Sequence, residues 1–229
     1  ESGAKAVLLS DCEPNVADLQ EKLLEKAENV MIKLSPMFDL SQLKRELKFI
    51  REIHIISVEN ECKEILVILK RNYNENIRIK AVHFPKNKTQ ELFEFTDEEE
   101  KNSFSLFAEN VHKYIYEPNA AILKSGAFKA AGNQFKVQKL HINSHLYTSN
   151  ELITDFQGRG FEVKEVLVFN KEELKRLNLE KANITVRNFP LNVNELRKKL
   201  KIKEGGDDYI FATTLLNEKK VLVICKRTN

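Results

Sequence analysis

Residues Val30 to Arg71, VMIKLSPMFDLSQLKRELKFIREIHIISVENECKEILVILKR, decide the fold. Val30-Met31-Ile32-Lys33-Leu34 is an apolar run of strand length, and Ser35-Pro36 ends it because proline has no N–H to give to a ladder. Leu43, Leu47 and Ile50 recur at helical spacing and predict a short helix. Ile53, Ile55 and Ile56 predict a strand, Glu59-Asn60-Glu61 a turn, and Ile65 to Leu69 a further strand. The Val58 to Lys63 connection is too short for the crossover that parallel strands need, so these last two strands are antiparallel. A continuous run such as Val30 to Leu34 suits a strand covered on both faces, as in a parallel sheet flanked by helices. The stretch reads as the closing half of a nucleotide-type α/β domain whose opening half is not in this chain.

Outward from it, Val16, Leu19, Leu23 and Leu24 predict a preceding helix. Glu13-Pro14-Asn15 before that helix is echoed by Glu117-Pro118-Asn119 before a helical pattern over Ala120 to Phe128. Both prolines are expected in a first helical turn, where a missing N–H has no cost. In a second zone, 74–116, Ile77, Ile79 and Ala81 alternate as a strand, Leu92, Phe93 and Phe95 suggest another, and Thr96-Asp97-Glu98-Glu99-Glu100 reads as an acidic turn. It lacks the glycine-shaped loop of a calcium site. The third zone, 117–160, opens with a helix and passes to short strands at Phe135 to Ile142 and His145 to Thr148.

The last zone, 161–229, reads β-α-β-α-β-β: strand Phe161 to Phe169, helix Lys171 to Leu177, strand Ala182 to Phe189, helix Val193 to Leu200, and a hairpin of Tyr209 to Leu216 with Val221 to Lys226. Asn192 is placed to cap the second helix and Gly205-Gly206 to turn the chain into the hairpin. Alternation at Ile184/Val186 and Leu222/Ile224 predicts a two-layer α+β unit with one sheet face on the two helices.

The 229 residues, 42% hydrophobic and 31% charged, suit soluble globular structure, and no apolar run approaches the roughly 20 residues of a membrane helix. Without a signal-like start, the chain is expected to be cytoplasmic. Cys12, Cys62 and Cys225 are far apart and odd in number, which argues for reduced thiols rather than a disulfide framework or zinc ribbon. The net charge of +3 hides an asymmetry. Residues 1–117 hold 17 Lys/Arg against 22 Asp/Glu, whereas residues 118–229 hold 20 against 12. The basic half suggests a polyanionic partner, or lysines that keep a small domain soluble.

Several blocks occur in an order that carries more information than any one of them. They are Leu8-Leu9-Ser10-Asp11-Cys12-Glu13-Pro14, Ile32-Lys33-Leu34-Ser35-Pro36-Met37-Phe38-Asp39 and Ile56-Ser57-Val58-Glu59-Asn60-Glu61-Cys62-Lys63-Glu64, followed by Tyr116-Glu117-Pro118-Asn119-Ala120-Ala121-Ile122-Leu123-Lys124, Asn143-Ser144-His145-Leu146-Tyr147-Thr148-Ser149 and Lys181-Ala182-Asn183-Ile184-Thr185-Val186-Arg187-Asn188-Phe189-Pro190. Across essentially its whole length the chain resembles the C-terminal part of bacterial class I S-adenosylmethionine-dependent methyltransferases with a THUMP-like C-terminal domain. The resemblance implies that 1–73 is the C-terminal part of a Rossmann-like methyltransferase domain, 74–116 an intermediate β-containing segment, 117–160 a linking region and 161–229 a ferredoxin-like or THUMP-like α+β domain. It also implies methyl transfer to a structured RNA such as tRNA or rRNA.

The family's glycine-rich turn, ribose-holding acid and Asp-Pro-Ala-Arg-Arg block are not in this chain. None of its seven glycines forms a G-x-G-x-x-G turn opening a βαβ unit, so no S-adenosylmethionine site is expected here and the chain alone is expected to be inactive. A start at Glu1 rather than methionine fits a fragment. Only the last three strands of the methyltransferase sheet would remain, leaving the Val30 strand with an open edge to be covered by another copy, by the lost half or by local segments.

Lys33, Ser35 and Pro36, at the carboxyl end of a predicted strand, are candidate substrate-side lining, against the plainer reading of a strand-ending turn. Lys181, Arg187, Arg197, Lys198, Lys199, Lys201 and Lys203 concentrate positive charge near one helix and one strand, a pattern suited to RNA phosphates. His145 and Tyr147, alternating along a strand, could stack on nucleic acid beside Lys139 and Arg159, with core packing the alternative. His141 and His145 are four apart, but strand-like surroundings and the Asn143-Ser144 break argue against a metal site. The rival to the enzyme reading is a non-catalytic RNA-binding or assembly module.

Overall fold

In the computed structural model, which describes residues 8–228, the chain forms two units, each built on its own mixed sheet. The first unit takes the chain up to Ser103 and again Asn119–Ala127. Its elements are α1 (Val16–Lys26), β1 (Asn29–Leu34), α2 (Leu40–Glu46), β2 (Ile50–Val58), β3 (Glu61–Lys70), β4 (Arg78–Phe84), β5 (Glu91–Thr96), α3 (Asp97–Asn102) and α4 (Ala120–Ser125). The strand order is β1-β3-β2-β4-β5. The expected hairpin is β2–β3, antiparallel, and β3 inserts between β1 and β2. β4 runs parallel to β2 and β5 antiparallel to β4.

The register puts Ile53 opposite Val67 and Ile79, Ile55 opposite Ile65 and Ala81, and Phe93 opposite Ala81. These side chains are buried on one face, each contributing roughly 1.5–3 kcal/mol for the larger ones. Leu40 and Leu43 of α2 and Ala121 and Ile122 of α4 are buried as well. α4 is tied down at its start. Asn119 caps Ile122 N and donates to Glu91 of β5 (2.9 Å), while Ala120 N donates to Asn60 in the β2–β3 turn (2.9 Å).

Several expectations change here. Val30 to Leu34 is not covered on both faces: Ile32 and Leu34 are buried, Met31 and Lys33 exposed. β1 is an edge strand, paired only with β3 among the described residues, so its apolar run serves one face. β4 and β5, within the segment expected to intervene between domains, extend this same sheet. Thr96 to Glu100 is not a turn; Thr96 and Glu99 form a reciprocal capping box that starts α3. Pro14 and Pro118 precede their helices, because the asparagine after each proline is the cap.

The second unit takes Phe104–Pro118 and everything from Phe128. It holds β6 (Tyr114–Pro118), α5 (Phe128–Gln134), β7 (Gln138–Lys139), β8 (Tyr147–Ser149), β9 (Gly158–Val168), β10 (Asn183–Arg187), α6 (Val193–Leu200), β11 (Asp208–Thr214) and β12 (Lys220–Arg227). Its seven strands run in the order β10-β11-β12-β9-β6-β8-β7, with only β10 and β11 parallel. Strand alternation along β12 serves two cores. Val221, Val223 and Cys225 join Ile115, Leu140, Leu146, Phe161 and Phe211, whereas Leu222 and Ile224 join Ile184, Leu196, Ile202 and Ile210.

The expected single packed face is therefore two packed faces, which is why Val221 to Cys225 is apolar without a break. α6 has the expected bounds, with Asn192 and Glu195 capping each other. Lys171 to Leu177 keeps only a 3-10 turn, Glu173–Arg176. Leu174, Leu177 and Leu179 all pack on the second core, and a step of two after a step of three cannot stay on one helix face.

Candidate nucleic-acid interface

Lys181 and Lys203 sit side by side because their backbones bridge: Ala182 N donates to Lys203 O (3.0 Å) and Lys203 N to Glu180 O (2.9 Å). The last turn of α6 carries Arg197, Lys198 and Lys199, and Lys201 follows in the left-handed conformation (φ 57°) that ends the helix. Cations there also complement the negative end of the helix dipole. Lys181, Lys198, Lys199, Lys201 and Lys203 are exposed, and none has an acidic partner among the described residues. Lys199 lies over the Phe169 ring, 4.8 Å from its centroid. Arg197 is half-buried; it donates to Ala182 O (3.4 Å) and lies 4.0 Å from Glu204. Five of the seven basic residues expected to act together thus form one unpaired corner.

Arg187 and Arg159 are engaged elsewhere. Both guanidinium groups close on the carboxylate of Glu117, which is 2% exposed: Arg159 Nε donates to Oε2 (3.1 Å) and Arg187 Nη2 lies 2.6 Å from Oε1. Glu117 on β6 and Arg187 on β10 are four places apart in the strand order, so this contact requires the sheet to curl. Sequence reading missed Glu117, whose only signal was an acid between Tyr116 and Pro118 in an otherwise apolar strand.

Tyr147 is 1% exposed and donates its hydroxyl to Phe128 O (2.6 Å), so its ring is core rather than a stacking platform for nucleic acid. His145 precedes β8 with φ 51° instead of alternating along a strand with Tyr147. Its ring stacks on Phe128 at 3.6 Å, and its Nδ1 is buried without a hydrogen-bond partner. Burial, with the Lys139 and Arg187 charges, brings its pKa down to about 4. Lys139 is buried, donating to Ile142 O (2.7 Å). His141 contacts Glu218 (3.2 Å) and Asn188 (2.9 Å), and the described residues contain no His/Cys/Asp/Glu group able to hold a metal ion.

Lys33 is exposed on β1 and lies 3.6 Å from Glu64; Ser35 accepts from Met37 N (3.3 Å) in the turn that follows, and Pro36 is half-buried. Among the described residues no glycine lies at the carboxyl end of any strand in the first unit's sheet. All three cysteines are free, and burial pushes the Cys225 thiol up to about 12. No helix of the described residues is long and apolar enough to cross a membrane.

Comparison with known proteins places two domain types on this frame. Residues 114–156 match a ferredoxin-like domain and residues 158–227 a THUMP domain-like family. No curated protein matches. The crystal structure of a "putative methyltransferase" from Porphyromonas gingivalis W83 superimposes with a TM-score of 0.91 at 36% identity, over 98% of this chain. The chain spans 57% of that protein's length. The chain is thus a mixed α/β protein similar to that protein over nearly its whole length, with a THUMP-like domain in its second unit and a ferredoxin-like match over 114–156 that takes in the first unit's α4.

Proposed function

We propose that this chain is the RNA-facing part of an S-adenosylmethionine-dependent RNA methyltransferase, with the methyl donor held by parts of the complete protein other than these residues. The observation that carries the reading is the corner of Lys181, Lys198, Lys199, Lys201 and Lys203 on the THUMP-like domain, exposed and unpaired. Ammonium groups set this way exchange condensed counterions for phosphates, which gives affinity with little sequence preference. A folded RNA such as tRNA or rRNA is the partner, bound in the cytoplasm. The open side of β1 is where the rest of the sheet, or a second copy, adds. By itself the chain binds RNA and does not transfer methyl groups.

Fluorescence anisotropy with bulk tRNA between 50 and 200 mM salt tests this. About five phosphate contacts give a log–log slope near −4 and a loss of roughly two orders of magnitude in affinity. The double variant Lys198→Glu/Lys203→Glu should flatten the slope by about 2. Salt-insensitive binding, or none, sinks the reading. Methyl transfer from labelled S-adenosylmethionine to tRNA by the complete protein then separates an enzyme from a non-catalytic RNA-binding or assembly module.

A further inference from the structure

The ferredoxin-like region carries a cleft of about 740 Å³ at the other end of the strand order from the lysine corner, framed by α5, β7 and β8. The volume lies within the range of small-molecule sites. Phe135, Leu106 and Ile153 supply apolar walls. Polar groups stand over them: the imidazole of His112 and the amides of Gln134, Gln138 and Asn150. None of these four side chains has a hydrogen-bond partner among the described residues, although His112 and Gln138 are half-buried.

The frame holding them is braced. Thr148 Oγ1 accepts from His112 N (2.8 Å) and donates to Tyr114 O (2.7 Å). The Tyr116 hydroxyl accepts from Ile153 N (2.8 Å) and donates to Glu151 O (3.1 Å). Uncommitted amides on a fixed apolar wall suit a flat ligand whose edge both donates and accepts, since each amide does both. The charged lining groups, Lys136 against Glu151 and Asp155, sum to one negative charge, which disfavours a phosphate as occupant.

We propose that this cleft is a nucleobase-binding site, taking the unstacked base of a single unpaired RNA nucleotide by its hydrogen-bonding edge. The choice of RNA as the source of the base rests on the function proposed above; the cleft chemistry does not. Unpaired bases are the part of RNA whose edges a protein can reach.

The test uses the full chain and free nucleosides, which lack phosphate and so bypass the lysine corner. Adenosine, guanosine, cytidine and uridine are titrated to millimolar concentration and followed by NMR at the Gln138 side-chain amide and the His112 ring. At least one nucleoside shifts both signals in saturable fashion. Gln138→Ala and, on the exposed rim, Gln134→Ala each weaken that binding about fivefold, the worth of one net hydrogen bond, without changing Tm. Absence of saturable shifts with all four nucleosides overturns the site, even where salt-dependent tRNA binding shows the lysine corner at work. Nucleoside binding without any tRNA binding upholds the site and removes RNA as its source.

Discussion

The carboxylate of Glu117 leaves water almost completely and receives two guanidinium groups from β9 and β10. A buried ion pair adds little over an apolar replacement, but removing one partner strands the others. Glu117→Gln leaves Arg159 and Arg187 facing each other without the carboxylate they share, and should destabilise the protein by about 3 kcal/mol in urea titration. A loss under 1 kcal/mol would show that the guanidinium groups re-solvate freely. This residue also accounts for why Arg159 and Arg187 read differently in sequence and in space. As bare sequence they are surface cations; their partner is distant along the chain and only folding reveals it.

Two other residues make stability fall in acid, in separate windows. His145 titrates near its ordinary 6.5 when unfolded and at about 4 when folded, so the unfolded chain binds the extra proton between those values. Its contribution is complete above 6.5 and is lost as pH falls through 4. Glu52 goes the way usual for a paired acid. Burial alone would raise its pKa, but His54 (2.7 Å), Lys80 (3.0 Å) and Arg51 (3.3 Å) more than offset this and lower it from 4.5 to about 2. Its contribution is present above 4.5 and disappears as pH drops through 2. His145→Asn, which tolerates the positive φ, should remove the first window from a plot of urea midpoint against pH and leave the second.

At the scale of elements, α6 shows what local chemistry can specify. Asn192, Glu195 and the left-handed Lys201 set both ends, and the helix runs Val193–Leu200 as the sequence pattern predicts. Asn192→Ala should cost about 1 kcal/mol, read as a lowered urea midpoint with unchanged slope. An unchanged midpoint would mean that Leu196 packing alone holds the helix. The segment Lys171 to Leu177 opens on a similar signal, Asn170 with Glu173 three residues on, and Asn170 Oδ1 accepts from Glu172 N (3.0 Å) and Glu173 N (2.9 Å); the spacing of its leucines nevertheless drew it into a single 3-10 turn. β1 is legible as a strand, yet its place at an edge is not, because Met31 and Lys33 carry no mark of which neighbours are present.

At the scale of the molecule, charge and curvature divide the second unit. The lysine corner gathers at the β10 end of the strand order, and the sheet curls enough to bring Arg187 to Glu117. Lys198→Glu/Lys203→Glu acts at this scale: it alters a field over one corner and leaves the buried ion cluster intact, so tRNA affinity should fall by far more than the small loss of Tm that a carboxylate in the last turn of α6 brings. A matching loss of Tm would place these lysines in the fold rather than the interface.

By itself the sequence determined the features set by neighbours a few positions apart: the β2–β3 hairpin, α6 with its caps, the β11–β12 hairpin and the run of lysines around α6. Periodicity, capping and turn chemistry act over a single element, so they can be read in order along the chain. Only the tertiary structure decided that residues 78–96 complete the first sheet, that β12 feeds two cores, that Arg159 and Arg187 serve Glu117, and that Gln134 and Gln138 line a cleft. Those outcomes depend on pairings between distant segments, where burial and unpaired charge are weighed together and no local pattern carries the result.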